Sequence, residues 1–115
     1  MILLLQKIRA LLGDSVTPYT VQATASGDTT LITPSSGKRI ILKNLYVNNE
    51  QDADRIVKFR FGSGSYFFTG ELMRDGGTWN NNLIGCNLHG AVDEAFKINL
   101  DDAGEINVTV LYKEV

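Results

Sequence analysis

The 115-residue chain contains one cysteine, one histidine, two prolines and one tryptophan, and each scarcity closes off a class of protein. With Cys86 alone no intrachain disulfide can form, so the fold must rest on packing. No basic cluster stands near Cys86 in sequence, which reads it as a half-buried structural thiol. One Cys and one His do not supply the four ligands of a usual zinc site. His89 also lacks a recognisably spaced nucleophile and a carboxylate to orient it, so it reads as a surface or turn residue rather than a catalytic base. Basic excess is missing as well: 11 Lys and Arg stand against 13 Asp and Glu, a formal charge of −2. Nothing here gathers into a field for a nucleic-acid backbone. The longest unbroken apolar run is residues 1–5, far short of the roughly 20 residues of a membrane span. Lys7 and Arg9 follow that run instead of preceding it, unlike a secretory signal, so synthesis in the cytoplasm is the expectation.

What is present is alternation. Hydrophobic content of 43% and charged content of 21% sit near the globular norm, and a chain of this length buries roughly two-thirds of its unfolded surface. Residues 105–115 (EINVTVLYKEV) place Ile106, Val108, Val110 and Tyr112 on one face and Asn107, Thr109, Leu111 and Lys113 on the other, the period of a half-buried strand. Residues 94–100 repeat the pattern with Phe96, Ile98 and Leu100 inward, and residues 101–104 (DDAG) between them predict a C-terminal hairpin.

Earlier in the chain, residues 19–25 and 29–33 are rich in Thr and poor in large apolar side chains, which predicts peripheral strands with Pro34 at a sheet margin. In residues 38–48 (KRIILKNLYVN), Ile40 and Leu42 share one phase and Leu45 and Val47 the other. Either a β-bulge near Lys43–Asn44 turns both pairs inward, or the strand is buried on both sides. Residues 55–61 put Val57, Phe59 and Phe61 inward, and residues 66–73 form a further strand in which Gly70 marks a bulge or bend. Residues 74–90, rich in Gly and Asn, predict a long connection with one short strand near 83–86. The sum is an all-β protein: an antiparallel β-sandwich or jelly roll of about eight strands over residues 14–115.

Residues 1–13 differ in kind. Leu4, Leu5, Ile8, Leu11 and Leu12 fall within an arc of about 120° on a helical wheel, which predicts a short amphipathic helix ended by Gly13. Twelve residues are marginal as a helix in water, so the apolar stripe needs a partner: its own sandwich, a neighbouring copy or lipid. Two basic residues are few for a lipid anchor, and Ile2 and Leu3, off the main stripe, tilt the choice toward a second chain. These five residues are the candidate partner-binding set; no catalytic residue, metal or cofactor is expected.

The residues offer three further candidates. Asn48, Asn49, Glu50, Asp52 and Asp54 offer side-chain oxygens to calcium but lack the glycine and terminal glutamate of an EF-hand, so solvated loop charge explains them. The glycines at 62–64 and 76–77 carry no Lys-Ser/Thr and precede no helix, so they are turns. Trp79 with Tyr66, Phe67 and Phe68 suggests an aromatic platform for sugar, against which core packing explains the phenylalanines more cheaply.

The stretches GKRIILKNLYV (37–47) and EAFKINLDDAGEINVTVLYKEV (94–115) resemble small β-sandwich virion structural proteins of tailed bacteriophages. The shared features are a Gly-Lys-basic start to a long strand and a strand–turn–strand ending closed by a Tyr-x-Glu-Val. That resemblance implies a non-enzymatic bacteriophage virion component, foremost a capsid decoration or cement protein that binds the major capsid lattice as a homo-oligomer, with a homotrimer favoured. A tail or fibre part or a carbohydrate-binding module is the alternative. The apolar N-terminal segment departs from the family pattern.

Overall fold

The computed structural model describes residues 16–115. These form eight strands and no helix: β1 (Thr17–Ala23), β2 (Gly27–Ile32), β3 (Ile40–Asn49), β4 (Arg55–Phe61), β5 (Phe68–Leu72), β6 (Gly77–Asn82), β7 (Phe96–Leu100) and β8 (Ile106–Glu114). The expected helix at 1–13, and with it Leu4, Leu5, Ile8, Leu11 and Leu12, lies outside the described residues.

Two antiparallel four-stranded sheets, ordered β1-β8-β3-β6 and β2-β7-β4-β5, enclose one core. The pairings are nested, β4 with β5, β3 with β6, β2 with β7 and β1 with β8. It is as though one long hairpin, folded at the β4–β5 turn, had been rolled until β8 also met β3 and β7 also met β4. That winding is a jelly roll. Every connection except β4–β5 therefore crosses between sheets, which corrects the expected C-terminal hairpin: β7 and β8 share no ladder. Each strand has one apolar face, Phe96, Ile98 and Leu100 on β7 and Ile106, Val108 and Val110 on β8, all at most 1% exposed. Placing them in opposite sheets buries both faces against each other.

Inside, Phe59 and Phe96 stack with ring centroids 5.6 Å apart, and Phe61 and Phe67 extend the aromatic layer. Each such side chain contributes on the order of 1.5–3 kcal/mol by leaving water. The phase change in β3 is a bulge: its register to β8 slips between Leu42 and Asn44, and Ile40, Leu42, Leu45 and Val47 all reach 0% exposure. As expected, the Thr-rich β1 and β2 are edge strands.

Four local expectations are corrected. Gly70 sits in unbroken register opposite Val57, so the strand does not bend there, and a Cβ would meet the neighbouring Trp79 ring only at contact distance. The strand expected at 83–86 is instead β6 at Gly77–Asn82. Asparagine disfavours strands on average, but here Asn80 and Asn82 lie on the solvent side of an edge strand and Trp79 anchors the inner side, so the usual penalty is small. Residues 83–90 then run beside the first half of β3, with Leu42 N donating to Leu88 O and Gly90 N to Ile40 O at 2.9 and 3.0 Å. Cys86 rides on this segment and is exposed, not half-buried. Tyr19, in the inward phase of β1, is 41% exposed, because an edge strand outruns the facing sheet.

Candidate functional site

The pleat gives the two outer faces opposite character. On the β2-β7-β4-β5 sheet, Lys97 lies opposite Arg60, and Lys58 opposite Asn99, which also faces Asp28. Arg60 pairs with Asp28 through Nη2 and Oδ2, and Asn99 Nδ2 donates to Asp28 Oδ1 at 3.0 Å. The hydrogen bond from Arg60, with Asn99 and the nearby positive charges, holds the Asp28 carboxyl below its ordinary 3.8 against the opposing effect of burial. Tyr66 is covered by these cations, with the Arg60 guanidinium 4.7 Å and Lys58 Nζ 5.4 Å from its ring centre. This is a charged surface on which Arg60 and Asp28 are paired.

The outer face of the β1-β8-β3-β6 sheet is the reverse. The registers align three rows of four outward side chains: Pro18, Leu111, Asn44 and Asn82; Thr20, Thr109, Tyr46 and Asn80; Gln22, Asn107, Asn48 and Thr78. Apart from the Tyr46 phenol, no ionisable group stands in the grid. Neighbours bond across it, Thr20 Oγ1 to Thr109 Oγ1 at 3.2 Å and Gln22 Nε2 to Asn107 Oδ1 at 3.3 Å, while Asn48 Oδ1 is buried without a partner. Lys43, in the bulge, and Lys113, opposite Ile41, stand beyond the Asn44 row. With strands about 4.8 Å apart and same-face residues about 6.8 Å apart, the grid covers roughly 400 Å² in projection.

The sequence-level candidates are dispersed. His89 is exposed, makes a bridge to Ile41 and approaches its neighbour's Gly90 O through Nδ1 at 2.9 Å. Of the acidic loop, Asn49 is turned inward and spent on structure: Nδ2 donates to Ala53 O and Leu72 O, and Oδ1 accepts from Gln51 N. Asp54 Oδ1 accepts from Arg74 N at 2.8 Å. Among the described residues, no group of three or more His, Cys, Asp and Glu is placed to hold a metal. The aromatic platform does not form either. Phe67 and Phe68 pack on the core, Tyr66 lies under its cations, and Trp79 sits in β6 rather than in a loop, 5.3 Å from Phe68 and 6.2 Å from Phe59.

Sequence reasoning missed the neutral grid because its members come from four strands distant along the chain. The run of three asparagines at 80–82 was its one local signal. The chain matches no protein-family model and no curated protein.

Proposed function

We propose that the protein is a non-enzymatic structural subunit of a tailed-bacteriophage virion, a decoration or cement protein that lies on the capsid lattice and works as a homo-oligomer, most simply a trimer. The observation that carries this reading is the neutral grid. Removing a charged side chain from water costs several kcal/mol unless it is paired, and interface centres are depleted in charge for that reason. A flat face of amides and hydroxyls escapes that cost while keeping donors and acceptors for a partner. The stiff two-sheet body suits a role in which the protein bridges neighbours without deforming.

The grid by itself is about half of the roughly 800 Å² that a partner usually contributes to a stable interface. The remainder falls to the apolar residues Leu4, Leu5, Ile8, Leu11 and Leu12, whose segment leads into the edge strand β1. Cosedimentation of the full chain with empty capsids and, separately, with tails tests the proposal. Attachment to capsids is expected, and Thr109→Arg and Asn80→Lys, each planting a charge in the grid, should abolish it with the circular dichroism unchanged. Sedimentation with neither particle, or undiminished attachment of both variants, overturns the reading; attachment to tails alone moves it to the tail.

A further inference from the structure

From the division of charge between the two ends of the sandwich, we infer a head-to-tail contact in which the loop end of one copy seats on a basic corner of the next. This names the surfaces of the homo-oligomer and rests on that part of the preceding reading, not on capsid attachment.

The corner lies on the β1-β8-β3-β6 sheet, beyond the Asn44 row of the neutral grid. Ile40 and Leu42 point into the core, so the alternate residues Arg39 and Ile41 point out. The bulge leaves Lys43 outside with Asn44, because Leu42 and Leu45 on either side are both buried. Lys113 and His89 flank Ile41, one on each neighbouring backbone. With strands about 4.8 Å apart and same-face residues about 6.8 Å apart, Arg39, Lys43 and Lys113 surround Ile41 within a span of roughly 14 Å. The acids of this end are engaged elsewhere. Glu114 accepts from Ser35 N and Oγ at 2.9 and 3.0 Å, Asp93 from Gly37 N at 2.7 Å and Glu94 from Ala91 N at 3.1 Å. Among the described residues the one salt bridge joins Arg60 to Asp28 on the other sheet. Three neighbouring cations therefore repel one another, and they do so in a chain whose formal charge is −2.

The compensating charge is at the opposite end. There the β3–β4, β5–β6 and β7–β8 loops are tied together, Asp75 N to Gln51 O at 2.8 Å and Glu50 N to Glu105 O at 3.4 Å, so Glu50, Asp52, Asp75, Asp102 and Glu105 gather on one exposed surface. The cations of these loops are Arg74 and Arg55, and Arg55 spends its guanidinium on the carbonyls of Asp54 and Ala103. The two surfaces are separated by the ten residues of β3, about 30 Å and several Debye lengths. One copy cannot pair its own charges, but a second copy can. The acidic surface is an end of the body and the basic corner is on a face, so each contact turns the line of copies. That lets a head-to-tail contact close into a ring, such as a trimer, instead of running on as a fibre.

Sedimentation velocity of the full chain at low salt tests the contact. Lys43→Glu with Lys113→Glu, and separately Glu50→Lys with Asp52→Lys, should each weaken association about tenfold or more. The variant carrying all four substitutions, with both surfaces reversed, should recover most of it. Lys43→Glu with Lys113→Glu sets carboxylates beside Arg39 and should melt no lower than wild type, which separates a lost contact from a lost fold. Raising salt from about 0.1 to about 1 M, which cuts the Debye length from ~10 to ~3 Å, should loosen wild type as well. Association that withstands one of the reversals, or that the combined variant does not recover, overturns the inference and leaves the homo-oligomer standing. A chain that stays monomeric at low salt overturns both, and capsid cosedimentation is read separately.

Discussion

Asn49 is the one buried polar side chain among the described residues, at 0% exposure, and the loops at one end of the sandwich hang on it. Its amide donates to Ala53 O at 2.9 Å and Leu72 O at 3.0 Å and accepts from Gln51 N at 3.0 Å, while its backbone oxygen takes Gly76 N at 2.7 Å. Asn49→Ala removes the three side-chain bonds and strands their partners, one of them the carbonyl of buried Leu72. At a net value near 1 kcal/mol each, the cost is about 3 kcal/mol, or roughly 12 °C in Tm for a chain of this size.

Asn49→Asp separates the donor from the acceptor. A carboxylate there still accepts from Gln51 N–H but faces two carbonyl oxygens, so at pH 7 the loss should exceed that of the alanine variant. Burial and the carbonyls raise the folded-state pKa of that carboxyl above its unfolded value near 3.9. A raised acid pKa means the native state binds the proton more tightly. Relative to wild type, the aspartate variant should therefore recover stability as pH falls from 7 toward 4, and the alanine variant should not. Urea unfolding followed by circular dichroism at several pH values measures both. A cost under about 1 kcal/mol for Asn49→Ala, or an aspartate variant as stable as the alanine one at pH 7, would refute the account of Asn49 as the pin of these loops.

Asp28 carries the opposite sign. Its folded pKa is depressed below 3.8, chiefly by the Arg60 hydrogen bond, so its contribution is present at neutral pH and lost as pH falls through the folded value. Thermal melts should show wild type ahead of Asp28→Asn at pH 7 and the gap closing below about pH 4. Tyr112 is raised above its ordinary value of 10.0, first by burial and then by Glu114 and Tyr19; in an ultraviolet titration Tyr112→Phe should remove a component that ionises above 10, and the stability of wild type should fall as pH rises past 10. Gly77→Ala sets a Cβ against the backbone O and N of Met73, so its melt should drop far more than that of Gly70→Ala, which meets only contact-distance atoms. Leu5→Asp or Ile8→Asp should dissolve oligomers in sedimentation velocity while the β signal persists; loss of the fold would assign the apolar stripe to the monomer's own core.

Period-two alternation was enough to mark the inward residues of β4, β7 and β8, because a pleated strand half in water leaves its facing in the residue order; in β3 it located the phase change near Lys43–Asn44 but left a bulge and two-sided burial open, and the β8 register decides for the bulge. Strand partners were beyond it. DDAG reads equally as a hairpin turn or as a crossing between sheets, and only the non-local pairing of β7 with β2 and β4, and of β8 with β1 and β3, decides between them. β6 escaped notice since its asparagines carry no apolar period, and it becomes a strand by pairing with Asn44–Asn49 of β3. The neutral grid and the basic corner around Ile41 are likewise products of that winding: their residues are ordinary one at a time, and what they offer arises when strands far apart in the chain are laid side by side at about 4.8 Å.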